Sequence, residues 1–224
     1  MPRTLLIDLY NTLVFGGDDG RDQMTRDMGT DLGVDPDKFA WLVRHTWHDR
    51  MTGIHGDLAT ETAALAAQLD GSPTPGAVAT AAERRFAFAR GNLVPGSTSI
   101  NAMIALRDAG WTVAIVSNCT FDSALALRAT PLATAVDALV LSCEVKLGKP
   151  DPAMYLAACA ALGDVDPTDC VFVGDGSDHE LDGALSLGMR VIQTSEYRVS
   201  DPDWTGERIA SITDLVPLLS DQPG

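Results

Sequence analysis

The feature that most constrains the fold is an alternation. Short, almost wholly apolar runs are separated by segments with helical spacing. Thr4 to Leu9, Thr112 to Ser117, Ala138 to Ser142, Cys170 to Gly174 and Arg190 to Gln193 are runs of strand length. Between them, Ile100, Met103, Ile104 and Arg107 recur at helical intervals and stop at Gly110, and the stretch from Met154 to Leu162 stops at Gly163. Glycine just past a helix end is a common terminator. Strands that are apolar throughout have no solvent face, and when they alternate with helices they build a parallel sheet covered on both sides. The expected fold is therefore α/β, with a Rossmann-like parallel core.

The alternation breaks once. From about Phe15 to Asn92 only helical patterns occur, preceded by the Gly/Asp-rich stretch from Gly16 to Gly20 and followed by Pro95-Gly96. A length of 224 residues suits one full domain with a smaller addition. The expected division is a core of residues 1–14 and 93–224 carrying a helical insert of residues 15–92. Within the insert, Phe39, Leu42, Val43, Trp47 and Met51 share one helical face, a packing stripe. Trp41, Arg44, His45 and His48 take the opposite face, where Arg44 is a candidate grip for an anionic group.

Composition narrows the partners. Sixteen basic against 31 acidic side chains leave a net charge of −15. That surface repels nucleic-acid backbones and anionic lipid, while a small phosphorylated ligand in one locally positive pocket stays compatible with it. The run Leu5-Leu6-Ile7 is broken by Asp8, and no stretch reaches the roughly 20 apolar residues that cross a bilayer. The four cysteines form no CxxC pair, and Cys143, Cys159 and Cys170 lie among apolar neighbours. The expectation is a reduced, cytoplasmic protein without nucleic-acid or membrane partners; a homo-oligomer is only a general prior.

The chemistry gathers where the strands end. The first run ends in Asp8-Leu9-Tyr10-Asn11-Thr12, the second in Ser117-Asn118 and a later one in Gly174-Asp175. Ligands of open α/β sheets lie at the carboxyl ends of the strands, so these groups converge although they are far apart in sequence. Only three lysines occur, and two of them, Lys146 and Lys149, share the loop after the run ending near Cys143. A cation there is what an anionic substrate or intermediate needs.

In this order the segments resemble the four motifs of the haloacid dehalogenase-like hydrolases. Asp8-Leu9-Tyr10-Asn11-Thr12-Leu13 resembles the first motif, whose leading aspartate is the nucleophile. Ser117-Asn118 resembles the second, whose hydroxyl holds the transferring group. Lys149 in Gly148-Lys149-Pro150-Asp151-Pro152 resembles the third, and Gly174 to Ala184 the acidic fourth, which holds magnesium. The insert falls where many members carry a mobile cap. The resemblance implies Asp8, Tyr10, Ser117 and Lys149 as catalytic residues and Thr12, Asn118 and Arg44 as substrate contacts. It also implies an Mg²⁺ ion held by Asp8, Asp175, the carbonyl of Tyr10 and Glu180, with Asp178 as a competitor for the last place. Magnesium suits such an oxygen set.

Tyr10 departs from the pattern. The family's phosphatases usually place a second aspartate there as general acid and base. A tyrosine with a pKa near 10 donates a proton at neutral pH but hardly accepts one. L-2-haloacid dehalogenases resemble Asp-x-Tyr-x-Thr in this motif, yet lack the aspartate found here at Asp175. The expected activity is a magnesium-dependent phosphatase on a small phosphorylated metabolite, with a dehalogenase or a binding-only relative as alternatives.

Overall fold

The computed structural model describes residues 3–17 and 19–220. Its sheet has six strands: β1 (Thr4–Ile7), β2 (Thr112–Ser117), β3 (Ala138–Leu141), β4 (Cys170–Gly174), β5 (Arg190–Thr194) and β6 (Glu207–Ile209). They lie in the order β3-β2-β1-β4-β5-β6, and every neighbouring pair is parallel. The five expected strands are present. β1 stops before Asp8, and Ser142 begins a helical turn instead of ending β3. β6 was not visible in the sequence, because an edge strand of Glu-Arg-Ile pairs on one side only and carries no apolar run.

Alternate residues of the central strands enter opposite layers, as the period of two requires. Leu5, Ile7, Val113, Ile115, Val171 and Val173 pack into one buried cluster. Leu6, Ala114, Val116, Cys170 and Phe172 pack into another. The sheet is thus covered on both faces, which explains the continuous apolar runs.

Between β1 and β2 the insert contributes α1 (Arg21–Asp31), α2 (Pro36–His45), α3 (Trp47–Met51), α4 (Leu58–Ala67) and α5 (Pro75–Asn92). Local signals set several starts. Asp35 accepts the amides of Asp37 and Lys38 ahead of Pro36, and Thr74 accepts the amide of Ala77 ahead of Pro75. Met28, Leu32, Phe39, Leu42, Val43, Leu65 and Ala81 form a cluster of the insert's own. Phe39, Leu42, Val43 and Met51 are buried as the stripe predicts, whereas Trp47 stays 38% exposed because the helix breaks at Thr46 and starts anew.

The remaining helices are α6 (Ser97–Asp108), α7 (Phe121–Arg128), α8 (Pro131–Thr134), α9 (Ser142–Val145), α10 (Pro152–Ala161), α11 (Glu180–Ser186) and α12 (Leu215–Ser220). Among the described residues no helix is long and apolar enough to cross a membrane.

Candidate active site

Three parallel strands deliver the site. Asp8 follows β1 at the centre of the sheet, and its amide donates to the Val173 carbonyl of β4 at 2.8 Å. Ser117 ends β2, and Asp175 follows β4. Glu180 opens α11, and two glycines let that helix approach. A Cβ at Gly174 would sit 2.2 Å from Glu180 Oε1, and one at Gly183 would sit 2.7 Å from both the Pro150 carbonyl and the Tyr155 hydroxyl. A side chain at Gly174 would displace the Glu180 carboxylate, and one at Gly183 would force α11 away from Pro150 and Tyr155.

Lys149 is the hub. Its Nζ donates to Asp8 Oδ1 and Glu180 Oε2, each at 2.5 Å, and the three side chains are almost wholly buried. Thr12 Oγ1 donates to Asp8 Oδ2 at 3.0 Å. Asn118 grips the lysine's backbone from both sides: its Oδ1 accepts the Lys149 amide at 2.8 Å, and its Nδ2 donates to the Lys149 carbonyl at 2.9 Å. Asp175 is fully buried. Its Oδ1 accepts from the Ser177 amide and hydroxyl, its Oδ2 accepts from Ser200 Oγ at 2.5 Å, and Arg198 Nε stands 3.8 Å away.

Oxygens of Asp8, Asp175 and Glu180 all lie within 4.8 Å of one another. One lysine cannot neutralise three buried carboxylates. Burial, reinforced by repulsion from Asp8 and opposed by Lys149, pushes Glu180 up to about 8. Burial likewise raises Asp8 against the pull of Lys149, and Asp175 adds to the rise. Lys149 moves up despite its burial, because Asp8 and Glu180 attract its proton. An all-oxygen donor set with surplus negative charge is what a hard divalent cation fits.

Asp178 lies outside this cluster. It is exposed, and its only described partner is Asn118 Nδ2 at 3.3 Å. Of the two acids left open by the sequence, Glu180 is the one that reaches Asp8 and Asp175.

The cavity over Asp8, about 230 Å³, is lined by Tyr10, Asn118 and Lys149 and also by Arg21, Ser123 and Arg198, which the sequence did not single out. Tyr10 OH donates to Ser123 Oγ at 2.9 Å, and burial raises its pKa, so its proton is firmly held. Thr12 and Ser117 do not line this cavity. Thr12 orients the nucleophile candidate, and Ser117 Oγ is buried without a hydrogen-bond partner among the described residues. Arg44 is a correction. It projects from α2 so that its Nη2 donates to both carboxylate oxygens of Asp22 of α1, is 61% exposed, and does not line the cavity over Asp8. The insert's arginine there is Arg21, at the start of α1.

Behind this cavity a second set of buried charges joins the insert to the core. Arg85 of α5 donates to Glu61 of α4 and, at 2.6 Å, to Asp122 of α7. Thr120 Oγ1 donates to Asp122 at 2.6 Å, and Arg50 Nη1 lies 3.7 Å from Glu61. Asp122 precedes Ser123, the partner of Tyr10.

Fold and site together define an α/β enzyme whose reactive groups sit at the carboxyl edge of a parallel sheet. The model of haloacid dehalogenase-like hydrolases matches residues 2–188, and the chain belongs to that family of hydrolases. It is 32% identical over 127 residues to (S)-2-haloacid dehalogenase 1 of Pseudomonas sp. (strain CBS-3), a match covering 54% of each chain, so it spans about half of that relative's length. It is 41% identical over 87 residues to N-acylneuraminate-9-phosphatase of Mus musculus, covering 37% of this chain and 35% of that one. A family enzyme of Bacteroides thetaiotaomicron, solved with magnesium and inorganic phosphate, superimposes with a TM-score of 0.64 at 17% identity, over 92% of this chain and 98% of that one. The last likeness speaks for the fold.

Proposed function

We propose that the protein is a magnesium-dependent phosphatase that transfers the phosphoryl group of a small phosphorylated metabolite to Asp8 and then to water. One observation carries this reading: three buried carboxylates, Asp8, Asp175 and Glu180, converge within 4.8 Å around a single lysine. Like charges so close need a compensating cation. Asp8, Asp175, Glu180 and the carbonyl of Tyr10 are the groups to hold Mg²⁺. When bound, the ion lowers the negative charge that an incoming phosphate meets. The relatives include phosphatases as well as dehalogenases, and a structural neighbour was solved with magnesium and phosphate.

The chain's own groups divide the remaining work. Thr12 fixes Asp8 Oδ2 and Lys149 fixes Oδ1, so the carboxylate is oriented before substrate arrives. Attack by an Asp8 oxygen on phosphorus breaks the ester P–O bond, forms an acyl phosphate and releases the alkoxide, which takes a proton from water; a water molecule then cleaves the acyl phosphate, giving inorganic phosphate and the Asp8 carboxylate. Lys149, which lines the cavity, stabilises the transferring group. Asn118 serves by holding Lys149, and the helices of residues 15–92 act as a cap over the cavity.

A second reading rests on Tyr10. It stands where a phosphatase of this family carries its acid–base aspartate, and its proton is held toward Ser123. Attack by Asp8 on the halogen-bearing carbon of a 2-haloacid would expel a halide that needs no proton. Two measurements separate the readings. Hydrolysis of p-nitrophenyl phosphate that is lost in EDTA and restored by Mg²⁺, with a melting temperature raised by Mg²⁺ alone, is the expected result. Chloride release from 2-chloropropionate in EDTA, without phosphate release, would replace it by the dehalogenase.

A further inference from the structure

Residues 195–206, which join β5 to β6, are strapped to Asp175. The anchor of the strap is Gln193, a fully buried amide in β5. Its Nε2 donates to the Asp175 carbonyl at 3.0 Å and to the Asp201 carbonyl at 2.8 Å, while its Oε1 accepts from Arg208 Nε of β6 at 2.7 Å. The Ser200 amide adds a second bond to the Asp175 carbonyl, at 3.1 Å. Gly176 lies against the same segment. Its φ is +96°, and a Cβ there would stand 2.7 Å from Asp201 Cβ, so both conformation and space call for glycine.

The strap brings one hydroxyl to the carboxylate. An ionised carboxylate offers about four acceptor positions. At Asp175 three are filled among the described residues: two on Oδ1 by the amide and hydroxyl of Ser177, and one on Oδ2 by Ser200 Oγ at 2.5 Å. The position left open is on Oδ2. Ser177 belongs to the same turn as Asp175 and moves with it. Ser200 comes from another segment, so its bond fixes the rotation of the carboxylate against the sheet. Ser200 Oγ also accepts from Arg198 Nε at 2.8 Å, so its own proton is the one directed at Asp175.

We propose that Ser200 is a positioning residue: held in place by the strap on Gln193, it fixes Asp175 as a ligand with one open position and so sets the affinity of the acidic cluster for Mg²⁺. The inference rests on the reading that Asp175 is a magnesium ligand. Magnesium demands near-ideal octahedral geometry, so a ligand free to swing weakens its binding. Outer partners that orient metal-binding carboxylates are typically worth about 10–100-fold in affinity.

The test is calorimetric titration with MgCl₂ alone, without substrate. Ser200→Ala is expected to bind Mg²⁺ at least about 10-fold more weakly than the parent protein. Ser200→Thr, which keeps the hydroxyl, is expected to stay within about three-fold of it, a rescue that a merely structural role would not produce. If Ser200→Ala fails to fold by circular dichroism, Ser200→Cys, a weaker donor at the same place, decides by binding Mg²⁺ more weakly than the parent. Asp175→Asn separates the two readings. If it abolishes binding while Ser200→Ala, or Ser200→Cys in its stead, binds as the parent does, the positioning role is overturned and the metal site stands. Equal weakening by Ala and Thr also overturns the role, since the hydroxyl would then not matter. No Mg²⁺ binding by the parent, or undiminished binding by Asp175→Asn, removes the metal role of Asp175 and this inference with it.

Discussion

The molecule buries two charge clusters, and their sums differ. Around Lys149, three buried carboxylates meet one buried cation, with the exposed Arg198 3.8 Å from Asp175. Around Arg85, two arginines, Arg50 and Arg85, meet two carboxylates, Glu61 and Asp122. The charge-balanced cluster joins α3, α4, α5 and α7. The unbalanced one is kept by the fold at a cost in self-repulsion, which a proton on Glu180 or a bound cation relieves. Stability is spent where chemistry is expected and conserved where the insert meets the core.

Substitutions should separate the two. The largest effect is expected from Asp8→Asn, which removes one of three carboxylates. Turnover should fall by at least about 10³-fold, as for other lost nucleophiles, while the melting temperature does not fall. A fall in melting temperature would mean that Asp8 is a structural partner of Lys149. Next, Arg85→Met leaves Glu61 and Asp122 without their shared cation and should cost about 3–5 kcal/mol in urea denaturation. A loss below about 1 kcal/mol would place this cluster with ordinary surface pairs.

The two clusters should also answer pH in opposite directions. Glu180 rises from 4.5 to about 8 on folding, so the native state keeps its proton between those values. Stability in EDTA should then fall as pH climbs from about 5 to 8, by at most about 1.4 kcal/mol per pH unit for this one proton. Burial alone would raise Asp122, but Arg85, Thr120 and Arg50 hold it below its ordinary 3.8. Its contribution is full at neutral pH and is lost as pH drops below about 4. Denaturation midpoints across pH 3–9, with and without Glu180→Gln, would show whether the alkaline limb belongs to Glu180. The smallest effect is expected from Arg128→Ala. Its pair with Glu144 is 48% and 34% exposed, and its loss should cost less than about 1 kcal/mol.

The unbalanced cluster was the legible one. Asp8 and Asp175 stand out because each ends an apolar run that has no local use for a carboxylate, and Lys149 because lysine is scarce. Glu180 followed from the fourth motif, and the strand ends then brought all four together. The partners that complete the site left no comparable mark. Ser123 lies 113 residues from Tyr10 in the first turn of α7, and Ser200 lies 25 from Asp175 in a loop; neither position carries a mark that sets it apart in sequence. Arg44 looked like the anion grip because its helical face was polar. Which polar face meets solvent is decided by the packing of α1 against α2, and that packing hands the position near Asp8 to Arg21. The balanced cluster was invisible for the same reason: Arg85, Glu61 and Asp122 come from three helices and share no spacing.

Asp122 and Ser123 are consecutive residues with contacts on opposite sides of a boundary, one to Arg85 of α5, the other to the hydroxyl of Tyr10. One short stretch of α7 thus carries both the ion pair that ties residues 15–92 to the sheet and the acceptor of the Tyr10 proton, so a substitution in either neighbour bears on both contacts.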